Sequence, residues 1–210
     1  MFSGNLSCPY RELCKVSEYS NCPKNINNCG LYIFLNMINS QSQKFSQSST
    51  DLLLMNELRE IYVEAWNKYA SSRARGGATG KAFQNWIVSK LRTYGLHVKE
   101  NQRVVFDFGE FKVDAVIPSP TDPVVILEIK ISIDTQHLLS LEGLMYHMLN
   151  PKTRLGLVTL YEIRSSVHRN LINIIKRRFS EKFEYFHLEN GWVNELERLV
   201  SFCRIYTKYS

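Results

Sequence analysis

The sequence lacks any apolar run near the roughly 18 residues that cross a bilayer. Its longest candidate, Leu31-Tyr-Ile-Phe-Leu-Asn-Met-Ile38, is short and already carries Asn36. The first residues also lack the charged, apolar and small-residue succession of a secretory signal, so the expectation is a cytoplasmic protein with no membrane partner. Cysteine is sparse: five residues, with Cys8, Cys14, Cys22 and Cys29 in the first thirty positions and no pair at the short spacing that pre-forms half a zinc tetrahedron. Reduced thiols are the expectation there. There is no internal repeat, no nucleophile elbow, no Ser-His-Asp arrangement and no dinucleotide fingerprint. The glycine-containing stretch Arg73-Ala-Arg-Gly-Gly-Ala-Thr-Gly-Lys81 is not a phosphate-binding P-loop, because Ala82 stands where Ser or Thr is needed and no strand precedes it.

What is present suits one well-buried domain with a small appendage: 210 residues, 44% hydrophobic and 22% charged. A formal charge of +6 favours an anionic partner without specifying one. Residues 1–50 form a polar, Cys-containing segment closed by the run Asn-Ser-Gln-Ser-Gln-Lys-Phe-Ser-Gln-Ser-Ser-Thr at 39–50, which has no hydrophobic period and reads as a linker. The main domain is expected over 51–210.

From 51 to 70, Leu54, Leu58, Ile61 and Ala65 recur at helical spacing, with Tyr62, Trp66 and Tyr69 beside them. The stretch 71–80 ends that helix. A second helix is expected over 81–94, with Thr79 as its N-cap and Gly95 as the left-handed residue after its last turn. The period then drops to two. Strand segments are expected at 96–98 and 103–108, then at 111–117 and 124–133, with Pro118, Pro120 and Pro123 marking the turn between the last two. A helix at 135–149, a strand at 155–161, a basic helix at 166–179, a strand at 183–188 and a helix at 193–206 complete the chain. This order gives an α/β class, a mixed central β-sheet flanked by helices with a helical N-terminal region.

The chemistry concentrates in two adjacent strands. In Val124-Val-Ile-Leu-Glu-Ile-Lys-Ile131, Glu128 and Lys130 are two apart and share a face, while Leu127, Ile129 and Ile131 take the other. Charges in so apolar a strand cost stability unless something pairs with them. A short connection makes Phe111-Lys-Val-Asp-Ala-Val-Ile117 the antiparallel neighbour and sets Asp114 opposite or diagonal to Glu128. Two carboxylates held that close repel each other and invite a hard divalent cation. Lys130 beside them is placed to hold a water and to stabilise charge on a phosphorane.

Those residues resemble the PD-(D/E)xK nuclease superfamily, which includes most type II restriction endonucleases. The match is Asp114 followed, after a hairpin, by Glu128-Ile129-Lys130, with helices before and after, over roughly 79–162. The resemblance implies an αβββαβ core and Mg²⁺-dependent phosphodiester hydrolysis, with Mn²⁺ able to substitute. It assigns catalysis to Asp114, Glu128 and Lys130, and metal binding to Asp114, Glu128 and the main-chain carbonyl of Ile129. The family's Pro-Asp is Val113-Asp114 here, and its leading-helix Glu is matched by Gln84. A missing carboxylate implies one metal, or a substitute among Glu57, Glu60 and Glu64. An E-x-K triplet arises by chance about once in a chain of this size, and Glu110-Phe-Lys112 is a second. The informative part is the apolar strand around Glu128 and the Asp-bearing strand beside it.

Two basic regions are candidates for DNA. Arg73, Arg75 and Lys81 suit a phosphate backbone, or else a solvated loop. Arg164, Ser165, Ser166, His168, Arg169 and Asn170 follow a strand end and suit base readout, or else a charged helix face. The leading expectation is a sequence-specific endonuclease acting on double-stranded DNA. It would be homodimeric because a duplex offers two strands to a two-fold protein, and it would be paired with a cognate DNA methyltransferase. A structure-selective nuclease such as a Holliday-junction resolvase, or an inactive DNA-binding module of the same fold, are the alternatives. The C-terminal helices are expected to contact DNA or dimerise.

Overall fold

The computed structural model describes residues 8–15, 26–44, 49–70, 74–148 and 151–207. The chain divides into two compact units, Met1–Phe83 and Gln84–Ser210, whereas the sequence pattern suggests a boundary at residue 50.

The first unit is helical. Helix α1 spans Gly30–Lys44 and α2 spans Ser49–Lys68. The expected linker at 39–50 is therefore largely helix, with 45–48 outside the described residues. The reason lies upstream of the polar run: Leu31, Phe34, Leu35 and Ile38 recur at helical spacing and are buried, and a helix nucleated there continues through residues of middling propensity. Phe34 stacks on Tyr62 of α2 with ring centroids 3.9 Å apart. Gly30 lies so close to Trp66 that a Cβ there would meet the indole at 3.1 Å. On α2, Leu54, Leu58, Tyr62 and Trp66 form the buried i, i+4 stripe.

Helix α3 spans Arg75–Thr93, beginning six residues before the expected start and running through Gly76, Gly77 and Gly80. Thr79 is not its N-cap. Thr79 is buried inside the helix, its Oγ1 donating to the carbonyls of Arg75 and Gly76 at 3.1 Å each. Gly95 does follow the helix at φ +81°.

The second unit is an α/β structure around one five-stranded sheet in the order β1-β2-β3-β4-β5. The strands are β1 (Lys99–Phe106), β2 (Gly109–Pro118), β3 (Pro123–Lys130), β4 (Arg154–Thr159) and β5 (Phe183–His187). Strand β2 pairs antiparallel with both β1 and β3, while β3 with β4 and β4 with β5 pair in parallel. Short turns allow the antiparallel pairs. The parallel ones need crossovers, supplied by α4 (Thr135–Tyr146) and α5 (Ser166–Arg178). Helix α6 (Trp192–Thr207) closes the chain.

Leu138, Leu141 and Leu144 of α4 and Ile172 and Ile175 of α5 join Ile126, Leu155, Leu157 and Phe183 in one core layer. On the other face α6 packs on β2, β3 and β5. There Gly156 leaves room for Leu127, whose side chain would come within 2.7 Å of a Cβ. Trp86 of α3 meets Trp192 of α6 edge-on at 6.0 Å. Among the described residues, no helix is long and apolar enough to cross a membrane.

Candidate active site

Strand β3 is buried along its length except at its last residue, Lys130. Its antiparallel register with β2 pairs Ala115 with Leu127, which carries Asp114 across from Glu128 as the alternation implies. Its parallel register with β4 places Leu157 beside Glu128 and Thr159 beside Lys130, and β5 sets Tyr185 and His187 one strand further on. The apolar end of the strand anchors it in the core, and the charged end emerges where the parallel strands finish.

Asp114, Glu128 and Lys130 form one cluster. Lys130 Nζ lies 2.5 Å from Asp114 Oδ2 and 3.0 Å from Glu128 Oε2. The main-chain N–H of Ile129 donates to Asp114 Oδ2 at 2.8 Å, locking that carboxylate against β3. Burial raises the Glu128 carboxyl to about 7; the charge of Asp114 adds to the rise and Lys130 opposes it. For Lys130, burial works against the charged form, yet the two carboxylates outweigh it and the ammonium is held above its ordinary value. Lys130 is therefore a proton donor at neutral pH and not a free amine base.

Glu128 Oε1 is buried and has no hydrogen-bond partner. Glu128 lines, with Asp114 and Lys130, a cavity of about 320 Å³ whose walls include Asn101, Phe111, Lys112 and, from α4, His137 and Leu141. A buried carboxylate oxygen left unmet beside a second carboxylate is what a hard cation would satisfy. Among the described residues no group of three or more His, Cys, Asp or Glu side chains could hold a metal, so no third carboxylate joins Asp114 and Glu128. Two carboxylates suit magnesium, which keeps several waters and takes its other ligands from a substrate phosphate.

Gln84, the expected accessory residue, is buried in α3 at 5% exposure. Its Nε2 donates to the main-chain carbonyl of Asp114 at 2.8 Å and, over a longer 3.5 Å, to Asn101 Oδ1. Asn101 escaped the sequence reading. The missed signal was the break at 99–102 between two expected strand segments. Strand β1 in fact runs unbroken through it, with Asn101 at φ +53°. Glu57, Glu60 and Glu64 lie on α2 of the first unit, with Glu60 and Glu64 exposed.

The basic candidates separate. Arg73 lies outside the described residues. Arg75 is committed within the first unit: it donates to the carbonyl of Ala70 at 2.5 Å, and its guanidinium covers the Trp66 ring at 5.3 Å. Lys81 lies on the same helix, half-buried. The second group gathers at the C-terminal ends of the parallel strands, where the amide of Leu160 donates to the carbonyl of Lys130. Ser165 caps α5. His168 Nε2 lies 2.9 Å from Thr135 Oγ1, tying the starts of α5 and α4 together. Arg164 is ion-paired with Glu189 at 2.9 Å yet 78% exposed, and Ser166, Arg169 and Asn170 are exposed.

The four described cysteines, Cys8, Cys14, Cys29 and Cys203, form no disulfide, and Cys22 lies outside the described residues. No protein-family model matches this chain, and no curated protein matches it significantly.

Proposed function

We propose that the chain is a metal-dependent nuclease that hydrolyses DNA phosphodiesters at Asp114, Glu128 and Lys130. One observation carries the reading. The two carboxylates and the ammonium line one cavity, and a buried carboxylate oxygen of Glu128 has no hydrogen-bond partner. A purely structural ion cluster would be expected to close on itself, whereas this one borders a cavity.

Asp114 and Glu128 are the metal-holding residues of this reading, with the carbonyl of Ile129 as a third donor and Mg²⁺ or Mn²⁺ as the cation. When bound, the cation supplies Lewis acidity to the phosphoryl oxygen and lowers the pKa of water. Lys130, kept protonated, donates to the oxygen that gains charge at phosphorus. Water adds in line and gives its proton to solvent, the bond from phosphorus to the leaving oxygen breaks, that oxygen takes a proton from solvent, and Asp114 holds Lys130 in place throughout. The exposed residues Arg164, Ser166, Arg169 and Asn170 line the same edge and are the proposed DNA contacts, with phosphate contacts setting register and base contacts setting sequence. The finer proposal is a homodimeric type II restriction enzyme on duplex DNA, working beside a cognate methyltransferase.

The test is incubation of the purified protein with Mg²⁺ and unmethylated duplex, branched and single-stranded DNA, alongside Lys130→Ala. Discrete duplex fragments support a restriction enzyme. Cleavage of branched DNA alone supports a resolvase, and binding without cutting an inactive module. Neither binding nor cutting with Mg²⁺ or Mn²⁺ sinks the nuclease reading.

A further inference from the structure

Asn101 stands in an unusual place. A residue other than glycine with positive φ is uncommon, and inside a strand it requires a reason. Asparagine tolerates that conformation better than other side chains. Lys99, Glu100, Gln102 and Arg103 all have paired partners on β2, but the rung that would join Asn101 to Asp114 is missing. The gap is where Gln84 reaches in: one N–H of its buried amide meets the Asp114 carbonyl and the other points to Asn101 Oδ1.

This contact fixes the Asn101 amide. With Oδ1 accepting from Gln84, Nδ2 is the atom left to face the cavity that Asn101 shares with Asp114, Glu128 and Lys130. No described residue accepts a hydrogen bond from it. Lys112, His137 and Ser140 also line that cavity, but within the charged cluster itself Asp114 and Glu128 offer only acceptors and Lys130 already directs its ammonium at both of them.

We infer that Asn101 is a further catalytic residue: its Nδ2 donates to a non-bridging oxygen of the phosphoryl group held over Asp114 and Glu128, and Gln84 positions it. The inference rests on the nuclease reading above. It makes the Gln84–Asn101 pair a neutral donor arm where a third carboxylate would repel the same oxygen.

Asn101→Gly tests it, because glycine keeps positive φ accessible and removes only the amide. The expected result is a thermal midpoint at or above wild type and Mn²⁺ affinity within about twofold by paramagnetic resonance. Single-turnover cleavage falls roughly 100-fold, as for loss of one oxyanion donor. Asn101→Asp binds Mn²⁺ more tightly and cleaves more slowly. Wild-type cleavage by Asn101→Gly overturns the inference, and so does a parallel loss of Mn²⁺ affinity, since Asn101 would then act through the metal site.

A second readout is independent of turnover. In ¹⁵N-labelled Lys130→Ala with Mg²⁺, the Asn101 side-chain amide resonance should move on adding a thymidine dinucleotide and stay still on adding thymidine, which lacks the phosphate. If the wild type cleaves no DNA, the nuclease reading fails, and this resonance decides the donor role alone. A phosphate-dependent shift sustains it and a static signal overturns it.

Discussion

The second unit contains two clusters in which two glutamate or aspartate side chains meet a cation, and they are built differently. At the α6 side, Glu195 is buried at 4% exposure and both of its oxygens are met: Oε1 by Arg198 at 2.5 Å and Oε2 by the amide of His187 at 3.3 Å. Arg198 also reaches Glu184 at 3.1 Å and the carbonyl of Tyr185, and lies over the Phe186 ring. Lys176 adds a second cation to Glu184 at 3.1 Å. The cluster of Asp114, Glu128 and Lys130 has one cation for two carboxylates, leaves Glu128 Oε1 unmet, and opens into a cavity. The first cluster is complete as it stands. The second keeps a buried acceptor without a protein donor, an atom that a bound water or ligand would satisfy.

Four measurements would break or sharpen that contrast. The largest effect should come from Lys130→Ala, which removes the only cation of the open cluster: cleavage of DNA should fall by roughly 10²–10³-fold or more in single-turnover kinetics. A variant that still cuts at the wild-type rate would reduce Lys130 to an ion-pair partner. Next, Arg198→Ala leaves Glu195 buried without its cation. Denaturant melts should show a loss of about 3 kcal/mol, discounted from the usual cost of breaking a buried pair because Arg198 is 45% exposed. Cleavage per folded molecule should be unchanged. If that variant instead abolished cleavage, the two clusters would not be separable in function.

The third concerns pH. Because the folded-state value of Glu128 is raised from 4.5 to about 7, the folded protein binds this proton more tightly than the unfolded chain. Below about pH 4.5 both states are protonated and the group has no effect. The cost of ionising it grows between about 4.5 and 7 and is complete above. Metal-free Glu128→Gln should therefore be more stable than wild type by roughly 2–3 kcal/mol at pH 8, with the gain vanishing near pH 4. Equal stabilities at pH 8 would mean that Glu128 is not held against its charge. Mg²⁺ should reverse the ranking, because only the ionised wild type gains from binding it.

The smallest stability effect belongs to Arg164→Ala. Its ion pair with Glu189 is surface-exposed on the arginine side, so thermal melts should move by less than about 0.5 kcal/mol. DNA binding should weaken, and the slope of log affinity against log salt should fall by about 1. An unchanged slope would take Arg164 off the DNA path.

Much of the open cluster was legible in the sequence because a strand has a strict period. Glu128 and Lys130 share a face whenever the segment is extended, and a proline-marked turn leaves antiparallel pairing as the short solution for Asp114. The mixed sheet follows from the same reasoning, since short turns and helical crossovers permit different strand directions. Local signals misled where tertiary packing overrode them. The glycines at 76, 77 and 80 suggest a loop, yet they lie inside α3, and the polar run at 39–50 conceals the end of α1. Asn101 and Gln84 sit 17 positions apart and meet through a missing β-ladder rung, which no periodicity encodes.

By itself, then, the sequence determined which residues alternate toward one face of β3, where the turns fall, and that charge had been placed in an apolar strand. Those are consequences of covalent spacing and of the cost of burying charge. Only the tertiary structure decided that both Glu195 oxygens are met while Glu128 Oε1 is not, that Arg75 covers the Trp66 ring, and that Asn101 lines the cavity of the acid pair. Whether a polar atom is met depends on neighbours brought from distant parts of the chain, and spacing along the sequence carries no record of them.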